Sequence, residues 1–165
     1  TDAFSLLSQP ASGAAGVATE TTDRLALVTE LAVSAGGLGM VGGQVDDVAG
    51  KSQTVAELAA VHARKTGALI RAAAVAGAVM GGATESQVMA IDRWATEIGL
   101  AFQIVDDILD VEGDAAALGK TAGKDAAGDK PTYTSLFGLE QAKAISDEAR
   151  ARASTVEFFT VARGD

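Results

Sequence analysis

The apolar residues of this chain recur mostly at three- and four-residue spacing, and few segments show the two-residue alternation of a strand. Such spacing places apolar side chains along one face of a helix. The clearest case predicts a long helix from Glu85 to about Val111. Its apolar positions are Val88, Ile91, Ala95, Ile98, Phe102, Val105 and Leu109. The pattern therefore predicts an all-α protein.

Capping residues and glycines divide the rest of the chain into shorter helices. Before the long helix, we expect a helix end at Asp2 to Leu7 and a loop at Gln9 to Thr19. A helix from Thr22 or Asp23 has a glycine break before Met40 and continues through Gln44 to Val48, and a turn follows at Gly50 to Gln53. The next two helices are one that is capped by Thr54 and Glu57 and runs to about Lys65, and one from Gly67 to Met80. After the long helix the expected segments are a loop at Gly113 to Lys130, a short helix begun by Pro131 and Thr132 and broken by Gly138, and a helix from Glu140 to Phe159.

Length and charge narrow the function classes. The 165 residues suffice for one domain, and no cysteine is present to form disulfides or a thiolate metal site. With 13 basic against 22 acidic residues the net charge is −9, which argues against a nucleic-acid binder. The most membrane-like stretch, Ala72 to Ala83, has about half the length needed to span a bilayer. We expect a cytoplasmic protein that is not an integral membrane protein.

Two glycine motifs resemble nucleotide-binding signatures and fail their structural requirements. Residues Gly37 to Gly42 match GxGxxG, but helix formers rather than a strand precede them, which favours close helix packing. Gly119-Lys120-Thr121 resembles the end of a phosphate-binding loop, but Asp114 stands where its first glycine belongs. His62 is the only histidine, and it is predicted to be a partly buried helix residue.

An acidic cluster near the end of the long helix is the most informative chemical feature. On a helix, Asp106 and Asp110 lie one turn apart, Asp107 lies within about 100° of both, and Gln103 lies one turn earlier. Three carboxylates with no nearby lysine or arginine repel one another unless they are solvated or bind a cation. An all-oxygen set suits Mg²⁺. The alternative is an acidic, solvent-facing stripe.

Basic residues elsewhere make a bound anion the favoured interpretation. Lys65 and Thr66 follow a helix junction, and Lys120 and Lys130 lie in the glycine-rich loop after the acidic helix. Lysines on a loop can close over phosphate groups as point charges. Taken singly, each lysine could equally be a solvated surface residue.

Four ordered blocks resemble the trans-polyprenyl diphosphate synthases, and most closely the bacterial farnesyl and geranylgeranyl diphosphate synthases. They are Gly42-Gly43-Gln44-Val45-Asp46-Asp47, His62-Ala63-Arg64-Lys65-Thr66-Gly67-Ala68-Leu69, Phe102-Gln103-Ile104-Val105-Asp106-Asp107-Ile108-Leu109-Asp110 and Gly119-Lys120. The similarity runs from about Ala3 to Arg152. It implies an isoprenoid-synthase-type helical bundle, usually a homodimer, of which residues 1–165 would be a single or partial domain in the C-terminal half.

The resemblance also implies roles for individual residues. The family condenses an allylic diphosphate with isopentenyl diphosphate by Mg²⁺-assisted ionisation. Asp106, Asp107 and Asp110 would be its second aspartate-rich motif and hold the metal. The residues expected to contact the diphosphate or support the developing cation are Lys65, Thr66, Gln103, Lys120 and Lys130. Gln44 and Asp47 would form a supporting polar pair beside the metal site.

This sequence departs from the family pattern in lacking a first aspartate-rich motif upstream of Lys65. The basic residues that hold isopentenyl diphosphate in the family are also not among these residues. A prenyltransferase, or its diphosphate-binding half, is the leading hypothesis. The second is a non-catalytic helical subunit that associates with a full-length synthase, and the third is a helical scaffold with a solvated acidic stripe.

Overall fold

In the computed structural model, residues 2–9, 21–51, 54–117 and 131–156 are described, and they form helices joined by turns. The α-helices are α1 (Asp2–Ser8), α2 (Thr21–Ala35), α3 (Met40–Val48), α4 (Val55–His62), α5 (Ala68–Met80), α6 (Glu85–Ala117), α7 (Tyr133–Phe137) and α8 (Leu139–Ser154). A π-helical turn, Ala63–Gly67, joins α4 to α5. The prediction of an all-α chain is confirmed.

Helix α6 is the centre of the described structure, packing against α5 on one side and α8 on another. Its residues Ile104 and Ile108 enter a core with Leu58 of α4 and Tyr133 of α7. Each such large side chain contributes about 1.5–3 kcal/mol when it is fully buried. The remaining contacts use alanines with little or no exposed surface, such as Ala95 and Ala142. Small contact residues let the helices approach closely.

Local capping places the start of α4 and both ends of α7 where the sequence predicted them. Thr54 and Glu57 form a complete capping box, in which the Thr54 hydroxyl accepts from the Glu57 N–H and the Glu57 carboxylate accepts from the Thr54 N–H. Thr132 caps α7 in the same way through Ser135. Gly138 ends α7 at φ 80°, a conformation that favours glycine.

Three predicted boundaries are wrong. Helix α8 ends at Ser154, with Thr155 as its C-cap, five residues before the predicted end at Phe159. Helix α6 runs to Ala117, six residues past the predicted end at Val111. An ion pair of 2.9 Å between Glu112 and Lys143 of α8 holds part of that extension, so tertiary contact extends the helix. The expected junction at Lys65 and Thr66 is also absent, because the π-helical turn carries the chain from α4 into α5 without a break.

The GxGxxG segment serves close packing, as predicted. The chain turns at residues 36–39 between α2 and α3. A methyl group on Gly39 would overlap the backbone of Ser34, and one on Gly42 would meet the guanidinium of Arg64 at 2.5 Å. These glycines therefore let α3 fold back against α2 and the π-helical turn.

By length and composition alone, the segment Thr21–Val48 could cross a membrane. The turn at residues 36–39 divides it into α2 and α3. Helix α2 packs on α5 and α3 packs on the π-helical turn, but several of their apolar side chains, including Leu25, Val33 and Val48, are exposed. Core helices of soluble proteins pass the same test, and the finding is weak evidence for a membrane span.

Candidate functional site

The π-helical turn places two adjacent basic residues against two adjacent acids of α3. The Arg64 guanidinium donates to Asp46 at 2.8 Å, and the Lys65 ammonium donates to Asp47 at 2.7 Å. Lys51 also reaches Asp46, at 2.8 Å. A π-helical turn adds a residue to the helix and changes which side chains share a face, and such turns are frequent at functional sites.

Gly43 makes this pairing sterically feasible. It is buried where α3 crosses the π-helical turn. A methyl group at this position would overlap the backbone nitrogen of Lys65 and lie 2.7 Å from its Cα atom. The absence of a side chain at Gly43 therefore sets the separation between the two backbones, and with it the distance from Asp47 to Lys65.

A chain of hydrogen bonds connects the π-helical turn with the acidic end of α6. The Thr66 hydroxyl donates to Oε1 of Gln103 at 3.1 Å, and Nε2 of Gln103 donates to Oδ1 of Asp107 at 3.4 Å. The backbone N–H of Tyr133, the first residue of α7, donates to Oδ2 of Asp107 at 2.8 Å. Hydrogen bonds thus join the side chains of Thr66, Gln103 and Asp107 to the backbone of Tyr133, across three elements.

The three predicted metal-binding aspartates have different environments. Asp107 is buried, with 6% of its surface exposed, whereas Asp106 and Asp110 are exposed on the next face of α6. The reason is the 100° step between successive helix residues, which turns Asp107 toward α7. In the described ranges, no three His, Cys, Asp or Glu side chains are grouped closely enough to hold a metal ion. Two of the three carboxylates, those of Asp106 and Asp110, are therefore exposed to solvent, and the third, that of Asp107, is buried and hydrogen-bonded within the protein.

Burial is the largest cause of the pKa shifts of Asp107 and His62. It raises the pKa of Asp107, and the hydrogen bond from the Tyr133 N–H opposes that shift. It lowers the pKa of His62, while the nearby carboxylates of Asp107 and Asp47 oppose that shift. The His62 ring lies 5.8 Å from the Tyr133 ring, and its Nδ1 atom is buried without a hydrogen-bond partner in the described structure. His62 is thus the partly buried helix residue that the sequence predicted.

We expect His62 to make the protein less stable in mild acid. Because its pKa is lowered by folding, the unfolded chain takes up the proton first below pH 6.5. The contribution of neutral His62 to the free energy of unfolding is fully present above that pH and is lost as the pH falls toward the folded-state pKa. Urea unfolding measures the free energy of unfolding at about pH 7.5 and at about pH 5.5. The decrease between the two pH values should be larger for the wild type than for His62→Gln. Equal losses in the two proteins would contradict the assignment.

Gln44, Lys120 and Lys130 are the other predicted site residues. Gln44 is exposed on α3. Lys120 and Lys130 lie outside the described residues. Sequence reasoning missed the pairing of Arg64 with Asp46, for which the signal was two adjacent acids and two adjacent bases in matching order. It also missed the backbone contact from Tyr133, which no side-chain pattern could indicate.

Exposed apolar side chains neighbour the exposed acids along α6. Phe102, Val105 and Leu109 of this helix are exposed, and Phe102 has 57% of its surface accessible. Carboxylates and large apolar groups are therefore exposed together on this part of α6, which is the composition expected where an organic anion is bound.

A cavity of about 610 Å³ lies on another side of the π-helical turn. Its wall includes His62, Arg64, Gly67 and Leu100. None of Lys65, Thr66, Gln103 and the three aspartates lines it. The candidate site therefore consists of the hydrogen-bonded residues and does not include this cavity.

Comparison with known proteins gives a consistent set of relatives. The family model described as polyprenyl synthetase matches residues 5–157. The chloroplastic geranylgeranyl pyrophosphate synthase 11 of Arabidopsis thaliana is 44% identical over 132 residues, which cover 77% of this chain and 37% of the relative. The farnesyl diphosphate synthase of Escherichia coli (strain K12) is 46% identical over 135 residues, which cover 78% of this chain and 45% of the relative.

Solved structures of proteins described as synthases or transferases of this kind are also similar to this chain. An FPP/GFPP synthase from Zymomonas mobilis aligns with a TM-score of 0.70 and 33% identity, covering 94% of this chain and 51% of that one. The geranyltransferase of Helicobacter pylori, complexed with magnesium and isoprenyl diphosphate, aligns with a TM-score of 0.71 and 28% identity, covering 92% and 48%. The chain thus spans less than half the length of these curated relatives and about half of these solved chains.

Proposed function

Because this chain belongs to the polyprenyl synthetase family, we propose that it forms the allylic-diphosphate-binding wall of a Mg²⁺-dependent prenyl diphosphate synthase. The reaction would transfer an allylic group from its diphosphate to isopentenyl diphosphate. The observation that carries this proposal is the convergence of Lys65, Thr66 and Gln103 beside the carboxylate-bearing end of α6. The part of the synthase that this chain does not match would complete the site.

The exposed carboxylates suit a metal ion shared with substrate. Asp106 and Asp110 lie one helical turn apart, and their carboxylates make no hydrogen bond or ion pair with any described residue. Mg²⁺ commonly binds one or two carboxylates together with substrate phosphates and keeps several waters. Asp106 and Asp110 would hold the ion on the diphosphate, and it would neutralise the negative charge that grows as the diphosphate leaves.

Protein donors beside the diphosphate would also stabilise its developing negative charge. The Lys65 ammonium has three N–H donors, of which Asp47 accepts one at 2.7 Å. The other donors are available to diphosphate oxygens. Donors placed in advance stabilise charge that develops during bond breaking, because they need not reorganise at that moment. Lys120 and Lys130 belong to the same proposal through the family resemblance alone.

The allylic cation left after ionisation must be kept away from water. The exposed apolar face of α6, formed by Phe102, Val105 and Leu109, would line the space that the prenyl chain occupies. In an assembled enzyme this face would be covered by the remainder of the synthase. We include assembly as a homodimer in the proposal on the same family grounds.

The relatives support a catalytic role over a non-catalytic subunit. The curated proteins compared above are described as synthases. Their matched segments cover 77% and 78% of this chain.

A chimeric enzyme tests the proposed reaction. This chain would replace the segment that it matches in the Escherichia coli farnesyl diphosphate synthase, and product would be followed with labelled isopentenyl diphosphate, an allylic diphosphate and Mg²⁺. We expect an organic-soluble product after phosphatase treatment. Lys65→Gln should lower turnover about 100-fold, because one donor to the leaving group is worth roughly 2.7–4 kcal/mol.

Lys51→Gln is the matched control for this chimera. Lys51 also pairs with an acid of α3 at 2.8 Å, but it is far more exposed than Lys65. Its replacement should leave turnover within about twofold, as expected for an exposed ion pair. A folded chimera that makes no product, or equal effects of the two substitutions, would contradict the proposal.

A further inference from the structure

Asp107 occupies a different place from its acidic neighbours, although the sequence groups the three together. Only 6% of the surface of Asp107 is exposed, and both carboxylate oxygens already accept hydrogen bonds from described groups. Asp106 and Asp110 are exposed on the same helix. A buried carboxylate whose two oxygens are hydrogen-bonded within the protein is poorly placed to replace a water on Mg²⁺.

The hydrogen bonds at Asp107 have a fixed direction. An ionised carboxylate only accepts, so the amide nitrogen of Gln103 must face Asp107 and its carbonyl oxygen must face Thr66. The Thr66 hydroxyl proton is then used by Gln103 at 3.1 Å. This arrangement leaves the second Nε2 hydrogen of Gln103 as the donor available to a ligand. A flipped amide would present its carbonyl oxygen instead and repel an anion.

We propose that Asp107 is a positioning residue and not a metal ligand: it fixes the Gln103 amide, and through it Thr66, in the orientation that a bound diphosphate requires. The inference rests on the proposed function for the identity of the ligand. The hydrogen bond from the Tyr133 N–H, at 2.8 Å, holds the carboxylate itself in place. The start of α7 thereby contributes to the order of the diphosphate-binding wall on α6.

Asp107→Asn separates this role from a purely structural one. The asparagine oxygen can still accept from the Tyr133 N–H, but its NH₂ group would face the Gln103 amide nitrogen. Gln103 is then expected to flip. In a ¹⁵N-labelled sample of the 165-residue chain, the side-chain amide signal of Gln103, assigned by its loss in Gln103→Leu, should shift and lose protection from exchange. An unchanged signal in a folded variant would overturn the proposal.

Binding of inorganic diphosphate provides the second measurement. At saturating Mg²⁺, Asp107→Asn should weaken diphosphate binding about tenfold, the effect of losing one oriented hydrogen bond to a charged group. The Mg²⁺ concentration for half-maximal binding should be unchanged, whereas Asp106→Asn should raise it. If Asp107→Asn raises it as much as Asp106→Asn does, Asp107 is a ligand and the proposal is wrong.

Thr66→Val tests the other end of the hydrogen-bonded chain without touching Asp107. The variant removes the donor to Gln103 Oε1 and keeps the side-chain shape. Its effect on diphosphate affinity should not add to that of Asp107→Asn, because both act through the orientation of one amide. Additive effects would contradict the proposed connection. Failure of the wild type to bind diphosphate would overturn the proposed function, and the amide signal would still decide whether Asp107 orients Gln103.

Discussion

The Gly43→Ala variant is expected to lose about 2–3 kcal/mol of unfolding free energy, as overpacking at a close contact typically costs. The new methyl group would overlap the backbone nitrogen of Lys65 and lie 2.7 Å from its Cα atom. These are backbone atoms, so no side-chain rotation relieves the overlap. Helix α3 must move away from the π-helical turn, which also lengthens the 2.7 Å ion pair between Asp47 and Lys65. Urea unfolding followed by circular dichroism measures the change.

Gly77→Ala is the matched control. Gly77 lies within α5, and a methyl group there would have no neighbouring atom within 4 Å. The substitution should stabilise the protein by about 0.5–1 kcal/mol, because alanine has the higher helix propensity. If Gly43→Ala is as stable as the wild type while Gly77→Ala behaves as expected, the close approach of α3 to Lys65 is wrong.

Replacing Asp106 and Asp110 together by asparagine is expected to weaken Mg²⁺-dependent diphosphate binding by at least about a hundredfold. A bound metal contributes several kcal/mol of charge stabilisation, and each 1.4 kcal/mol corresponds to a factor of ten. Both side chains are exposed, so the fold should tolerate the change. Fluorescence competition or calorimetry with inorganic diphosphate at fixed Mg²⁺ gives the two affinities.

Asp147→Asn provides the charge control for that double variant. Asp147 is an exposed acid on α8, paired with Arg150 at 3.0 Å. Its loss changes the net charge without touching α6, and diphosphate affinity should stay within about twofold. A similar loss in Asp147→Asn would show that net charge and not metal binding accounts for the effect.

Much of the fold could be predicted from local sequence signals. Thr54 with Glu57 and Thr132 before α7 cap helices by contacts within four residues, so the sequence alone contains the information. The end of α6 could not be predicted, because Glu112 is held by Lys143 from another helix. The π-helical turn was missed for a related reason. Its geometry fits contacts with α3 and α6, and no residue pattern within Ala63–Gly67 marks it.

The site shows the same division between local and tertiary information. Helical spacing predicted three acids on one face of α6, whereas the structure exposes Asp106 and Asp110 and buries Asp107. Helical spacing could not show that Asp107 would be buried against Tyr133, since that contact joins residues 26 positions apart. The family resemblance groups Lys65, Thr66 and Gln103 in one site. The hydrogen bond from Thr66 to Gln103 agrees with that grouping.

The most direct test of the central claim is calorimetric titration of the wild-type chain with inorganic diphosphate, with Mg²⁺ present and with Mg²⁺ removed by a chelator. If Asp106 and Asp110 share a metal with the anion beside Lys65, Thr66 and Gln103, saturable binding will appear only with Mg²⁺. Lys65→Gln will weaken it and Lys51→Gln will not. Absence of binding, or equal binding with and without Mg²⁺, would contradict the assignment of this surface as a diphosphate-binding wall.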